Sequence, residues 1–96
     1  MNRRTIFKFR LYVAGDAENS AKAVANLTAL CHERLAARHE IEVVDVFREP
    51  VRALADHILM TPTLIKMAPF PLRRIVGTLS QSDILVWVLG LDASAR

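Results

Sequence analysis

The chain has 96 residues, so we predict one small domain. Of these residues 52% are apolar, and the formal net charge is +3. Its 13 lysines and arginines are neither densely clustered nor interleaved with aromatic side chains, which argues against a nucleic-acid-binding surface. A single cysteine, Cys31, excludes an internal disulfide and a site in which two cysteines hold a metal ion.

The first predicted element is a strand from Thr5 to Val13, in which apolar residues alternate with Lys8 and Arg10. A turn follows, and Asn19 or Ser20 is predicted to cap a helix that runs to about residue 38. The apolar stripe of this helix contains Val24, Leu27, Cys31 and Leu35. On such a stripe, a free cysteine is expected to be a buried, unreactive core residue.

A short apolar run, Ile41–Val46, predicts a buried parallel strand reached by a right-handed crossover. Pro50 suits the first turn of a second helix, which is predicted to end near Leu59. The apolar positions of that helix fall on one predicted inner face: Val51, Leu54, Ala55 and Ile58.

Prolines mark the next segment. Proline at the start of a strand is confined to special positions, and only the bond before proline becomes cis at low cost, so Pro62 is predicted to be a cis-proline. A hairpin of strands Thr63–Met67 and Leu72–Val76 follows, joined by a turn that contains Pro69 and Pro71.

The last element is ambiguous. Ser80 and Asp83 have the spacing of a capping box and predict a helix. The run Ile84–Leu89, however, is rich in β-branched residues, so its intrinsic preference leans to a strand. We predict residues 1–96 to be a single domain, frayed at 1–4 and 93–96.

The order βαβαββα, with a proline before the third strand, resembles the thioredoxin fold, in which a cis-proline loop faces the redox cysteines. The corresponding loop, residues 14–20, contains no cysteine. No nucleophile–base pair, phosphate loop or metal-ligand cluster is visible in the sequence either. We therefore expect a protein that is not an enzyme and has no cofactor.

Three sequence blocks carry a closer resemblance: LYVAG at 11–15, PTL at 62–64 and PLRRIVG at 71–77. In this order they are similar to the KaiB family of circadian clock proteins. The resemblance implies a non-enzymatic partner of the ring ATPase KaiC. It also implies two states: a homotetramer with βαββααβ topology and a thioredoxin-like monomer that docks on KaiC.

The resemblance also implies site residues. Lys66, Arg73 and Arg74 would meet acidic residues of the ATPase ring, although charges on a hairpin are often simply solvated. Gly90 and Asp92 match the terminal Gly-Leu-Asp of the family. Together with Pro62, Pro69 and Pro71 they form the predicted switch set. Proline isomerisation, which takes ~10–100 s, would slow a change in which residues 84–89 convert between helix and strand.

Two other functions remain open at this point. A thioredoxin-like oxidoreductase or glutathione-binding protein would use the Pro62 loop, but the missing loop cysteine argues against it. A chaperone-like stress oligomer would need no clock partner. The apolar content favours self-association as a dimer or tetramer.

No apolar stretch approaches the ~20 residues of a transmembrane helix, and residues 6–10 do not resemble a signal peptide, so a cytoplasmic protein without membrane contact is expected.

Overall fold

The computed structural model describes residues 5–91. The expectations about residues 1–4, residues 93–96 and Asp92 lie outside the described residues. Seven elements follow one another along the chain: β1 Phe7–Val13, α1 Glu18–Leu35, β2 His39–Asp45, α2 Pro50–Ala55, β3 Thr63–Ala68, β4 Arg73–Val76 and α3 Ser82–Val88. The predicted order βαβαββα is therefore confirmed.

The four strands form one mixed sheet in the order β2-β1-β3-β4. Strand β1 pairs with β2 in parallel and with β3 antiparallel, and β3 pairs with β4 antiparallel. Leu11, in the middle of β1, lies between Val43 of β2 and Leu64 of β3. The central strand thus has a partner on each side, whereas β2 and β4 form the two edges.

The larger core lies on the face of the sheet that α1 and α3 cover. Alternate residues of β1 point into it, as the sequence pattern predicted. The buried side chains on this face include Phe7, Phe9, Leu11, Val13, Leu27, Cys31, Leu35, Leu85, Val86 and Leu89. The apolar stripe of α1 is therefore confirmed, with Val24 partly buried beside it.

The opposite face has a smaller core, formed by Tyr12, Val44, Ala53 and Ile65. Helix α2 has only six residues and covers only part of this face. Along β2, Val44 alone is buried. The parallel pairing of β2 was predicted correctly, but the prediction of a buried strand was wrong, because β2 lies at the edge of the sheet.

Helix α1 ends at Leu35, earlier than predicted, because Ala36 adopts a positive φ of 50°. Neither Asn19 nor Ser20 caps its start, since Ala17 occupies the N-cap position. The Ser20 hydroxyl instead accepts a hydrogen bond of 3.0 Å from the backbone N–H of Ala14. This bond closes the loop between β1 and α1.

Helix α2 ends at Ala55, before the predicted end near Leu59. His57 adopts a φ of 56°, and Ile58 N–H donates to the carbonyl of Ala53 at 2.9 Å, which is the pattern of a Schellman motif. The predicted inner face was correct only for Ile58, which packs against the smaller core; Val51 and Leu54 point to solvent, and Ala53 is the buried residue of the helix.

The ambiguous run Ile84–Leu89 lies in helix α3 and its C-cap in this structure. The helix begins after Gln81 without a side-chain cap, so the predicted capping box at Ser80 is wrong. Gly90, with a φ of 75°, ends it. The remaining strand ends differ from prediction by one or two residues. No helix within residues 5–91 is both long and apolar enough to span a bilayer.

The core assignment predicts different costs for the same substitution at two leucines. Leu27 is 1% exposed and Leu59 is 92% exposed. Leu27→Ala should lower the free energy of unfolding by about 2–5 kcal/mol, because it leaves a cavity in the core. Leu59→Ala, the matched control, should leave it nearly unchanged. Urea unfolding followed by circular dichroism measures both, and equal midpoints would contradict the assignment.

Candidate partner-docking surface

Three loops meet at one end of the sheet. Because β1 and β2 run in parallel, their carboxyl ends lie at the same edge, next to the loop that leads from α2 to β3. Asp45, the last residue of β2, ties two of these loops together. Its Oδ1 accepts hydrogen bonds from Gly15 N–H at 3.1 Å and from Phe47 N–H at 2.9 Å.

This arrangement brings the ring of Phe47 over Gly15. A Cβ atom built on Gly15 would lie 3.5 Å from Cδ2 of Phe47, and Gly15 has a φ of 54°. Glycine therefore suits this position for its backbone conformation, whereas a Cβ would make only an ordinary van der Waals contact with the ring. The Phe47 side chain nevertheless remains 74% exposed.

A groove of about 230 Å³ lies between these loops, lined in part by Ala14, Phe47, Ala53, Ile58, Met60 and Thr61. Large apolar side chains around it and on the outer side of α2 are exposed. We call this set the loop-end surface: Phe47, Val51, Leu54, Leu59 and Met60. Such a concentration of exposed apolar side chains is typical of an interaction site.

A polar network holds α2 against the sheet. Asp56, which follows α2, accepts hydrogen bonds through Oδ2 from the hydroxyl of Tyr12 at 2.5 Å and from Nη1 of Arg10 at 3.1 Å. Glu42 of β2 accepts from Nε of Arg10 at 3.0 Å and pairs with Nη2 of Arg52 at 2.8 Å. We call these five residues the Asp56 network. They connect β1 and β2 to the helix beneath the loop-end surface.

The network shifts the pKa values of its members. The hydrogen bond from Tyr12, together with that from Arg10, lowers the pKa of Asp56 below its usual value. Hydrogen bonds from Arg52 and Arg10 lower the pKa of Glu42. Burial and the bond to Asp56 raise the pKa of Tyr12. Both carboxylates are therefore favoured in their charged form in the folded state.

The predicted basic residues do not form one surface in this fold. Lys66 is 3% exposed, and its Nζ donates to the carbonyl of Leu89 at 3.1 Å and lies 5.8 Å from the centre of the Phe7 ring. Burial lowers the pKa of this lysine. The expectation that Lys66 lies on the surface is therefore wrong, because α3 covers it. Arg73 and Arg74 are exposed, as expected.

The bonds before Pro62, Pro69 and Pro71 are all cis. Thr61, just before Pro62, lines the loop-end groove opposite Ala14. Pro69 and Pro71 lie in the turn between β3 and β4, away from that groove. Gly90 follows α3, and the Nζ of Lys66 lies 4.0 Å from where its Cβ would be. The structure thus separates the predicted switch residues into three places, and Asp92 is not among the described residues.

No cysteine lines the loop-end groove. The chain's one cysteine, Cys31, is fully buried in the core on α1. Burial raises the pKa of its thiol to about 12. At neutral pH this thiol is protonated and inaccessible, as the sequence predicted, so it does not supply the thiolate that disulfide exchange requires.

Sequence reasoning missed most of the loop-end surface. Phe47 and the pair Leu59–Met60 were not proposed as site residues. Their position in the sequence could have indicated a binding role, because each lies in a loop next to the end of a strand. Large apolar side chains in such loops are often exposed and available to a partner. The contact between Asp56 and Tyr12 left no signal, because 44 residues separate the two.

The KaiB domain family model matches residues 10–91 of the chain. The chain belongs to the KaiB family. The circadian clock protein KaiB3 of Synechocystis is 41% identical over 92 residues, which cover 96% of this chain and 85% of that protein. The resemblance seen in the three sequence blocks is therefore confirmed at the level of the family.

Solved structures support the fold. Chloroplastic thioredoxin z is 19% identical, with a TM-score of 0.77 over 95% of this chain and 82% of that chain. The N-terminal domain of Synechococcus elongatus SasA is also 19% identical, with a TM-score of 0.73 over 90% of this chain and 85% of that chain. The thioredoxin-like architecture is confirmed.

The lowered pKa values predict how stability depends on pH. A carboxylate whose pKa is lower in the folded state stabilises the fold above its unfolded pKa, about 4, and this contribution is lost as the pH falls through the folded value. The free energy of unfolding should therefore decrease below about pH 4. Asp56→Asn should be less stable at pH 7 and show a smaller acid-dependent decrease, measured by urea unfolding across the acid range.

Asp16→Asn is the matched control for this experiment, because Asp16 is exposed and lies outside the Asp56 network. This variant should retain both the stability at pH 7 and the full acid-dependent decrease. An identical acid profile for Asp56→Asn and the unsubstituted protein would contradict a stabilising role for the network.

Proposed function

We propose that this protein is a regulatory KaiB-family protein that binds a KaiC-type ATPase through the loop-end surface. The observation that carries the proposal is the groove between residues 14 and 61. It lies where the thioredoxin fold holds its redox site, yet its loops contain no cysteine and it is bordered by exposed apolar side chains. A site of this shape binds a protein surface rather than performing thiol chemistry.

Charge around the loop-end surface supports the choice of partner. Arg48 follows Phe47, is largely exposed and is 3.9 Å from Asp45, which is a weak contact. On the other side, Nη1 of Arg74 donates to the carbonyl of His57 at 3.4 Å. These two guanidinium groups form a cationic rim around an apolar centre, which suits an acidic partner surface such as the resemblance implies for the ATPase ring.

We also infer a second state, the βαββααβ topology, in equilibrium with the thioredoxin-like one. The support is the conflict in α3: three of the six residues in its run Ile84–Leu89 are β-branched, and the helix has no side-chain cap. Ile84 is 54% exposed, so helical packing does not use all of its apolar surface. If only the thioredoxin-like state binds the ATPase, the apparent affinity is reduced in proportion to the fraction of molecules in that state.

Two exposed phenylalanines allow a matched test of the docking site. Phe47→Ala should weaken binding to a KaiC-type ATPase at least about tenfold, because aromatic side chains at the centre of an interface contribute much of the binding energy. Phe70→Ala removes a ring that is 87% exposed in the β3–β4 turn and should change the affinity less than about twofold. Biolayer interferometry with immobilised ATPase and ATP measures both.

Equal losses for Phe47→Ala and Phe70→Ala would move the interface away from the loop-end surface. No binding by the unsubstituted protein to ATPases of this type would overturn the proposed function itself. Size-exclusion chromatography with and without the ATPase provides the independent check.

The second state has its own test. Ile84→Ala removes a β-branched side chain from α3 and improves helix propensity by a few tenths of a kcal/mol, which corresponds to roughly a twofold change in population. Two sets of amide resonances in slow exchange are expected, and this variant should shift their ratio toward the thioredoxin-like set. Ile6→Ala, at an exposed isoleucine outside the run, should leave the ratio unchanged. A single set of resonances at every concentration would contradict the second state.

A further inference from the structure

Strand β4 is an edge of the sheet, and its backbone leaves hydrogen-bonding groups unpaired. Gly77 N–H donates to the carbonyl of Pro62 at 2.9 Å, which makes this a hydrogen-bonded pair of the antiparallel ladder. Because such pairs alternate, Ile75 and Arg73 also bond to β3. The backbone N–H and C=O groups of Arg74 and Val76 therefore point outward, away from the sheet.

A groove runs beside this edge, between β4 and α3. It has a volume of about 190 Å³, and Ile75, Val76, Leu79, Ile84 and Leu85 are among the residues that line it. Val76 is 51% exposed at its rim. An additional strand on β4 would therefore gain both backbone hydrogen bonds and apolar contacts.

The charged residues of β4, Arg73 and Arg74, are both positive. Within residues 5–91, neither Arg73 nor Arg74 forms a salt bridge, although the charge of Arg74 helps to lower the pKa of Asp56. Arg73 donates to the carbonyl of Leu72 at 3.3 Å, and Arg74 donates to that of His57 at 3.4 Å. The strand thus has a cationic half at residues 73–74 and an apolar half at residues 75–76. The five residues that define the loop-end surface include none of this strand, although the Arg74 side chain reaches its rim.

A second copy of the chain is a poor occupant for this edge. Strand β4 reads Arg-Arg-Ile-Val and contains no acidic residue. Aligned antiparallel with the same strand of another copy, it would place each arginine opposite an apolar residue, so four arginines would share one seam and none would meet a carboxylate from either strand. A strand of opposite charge would supply those carboxylates.

We propose that the β4 edge binds an extended, acidic–apolar peptide segment of a partner protein by strand addition. Antiparallel pairing, the more stable arrangement per residue, sets the order of the partner's side chains. Two β-branched residues would lie opposite Val76 and Ile75, and two acidic residues would follow opposite Arg74 and Arg73. The recognised sequence is then apolar-apolar-acidic-acidic.

The test uses the ¹⁵N-labelled protein and the blocked hexapeptide Thr-Val-Ile-Glu-Glu-Thr, titrated at low salt. Amide shift changes should cluster at residues 73–77 and 81–85. The peptide Thr-Val-Ile-Lys-Lys-Thr should bind at least tenfold more weakly, because its charges oppose the arginines. The reversed peptide Thr-Glu-Glu-Ile-Val-Thr, of identical composition, should also bind more weakly than the first.

Two variants examine the two halves of the site. Val76→Pro removes an outward backbone N–H without removing a hydrogen bond to β3. Peptide binding should therefore be lost, while the circular dichroism spectrum is retained. Val76→Thr, which keeps the N–H, is the matched control. If Val76→Pro does not fold, Arg73→Glu serves, and it should reverse the preference toward the lysine peptide. Arg74 is less suitable because it also reaches His57.

Equal binding of the glutamate and lysine peptides would overturn the proposal, as would unchanged binding to folded Val76→Pro. Shift changes at residues 73–77 that depend on protein concentration, without peptide, would assign the edge to a second copy and would overturn it too. Binding to the KaiC-type ATPase is measured separately, so a failure here leaves the proposed function untouched.

Discussion

The position of α2 depends on the Asp56 network more than on burial. The helix has six residues, and only Ala53 is buried, so its apolar contribution is small, of the order of 1 kcal/mol. Hydrogen bonds to charged groups contribute about 1.5–3 kcal/mol each, and Asp56 accepts two of them, from Tyr12 and Arg10. The polar ties therefore hold the helix, and its large apolar side chains are left to face outward as part of the loop-end surface.

The difference between elements placed by apolar burial and elements placed by polar contacts explains which parts of the fold were predictable. In β1, strict alternation of apolar residues predicts a strand rather than a helix and places every second residue in the larger core. In α2, residues 51 and 54 share a side of the helix, but spacing alone does not say whether that side faces the sheet or solvent. The choice is made by residues 10, 12 and 56, which come together only in the folded chain.

Lys66 shows the same limit for a charged residue. A lysine on a hairpin is normally solvated, but β3 is an inner strand and α3 lies over this position. Its ammonium group remains buried because the carboxyl end of α3 offers the carbonyl of Leu89 and the Phe7 ring lies nearby. Hydrophobic pattern and charge could not reveal this site, since the acceptor belongs to the backbone of a helix 23 residues away.

The two proposed binding regions differ in chemistry because they differ in their place in the sheet. The loop-end surface lies at the carboxyl ends of β1 and β2, where loops and the outer side of α2 expose large apolar side chains. The β4 edge lies beyond β3, where the ladder ends and the outward groups of residues 74 and 76 remain unpaired. Arg74 reaches toward both, because its side chain donates a hydrogen bond to the carbonyl of His57. Its guanidinium is held at the His57 carbonyl, between the two regions, whereas its backbone belongs to the β4 edge.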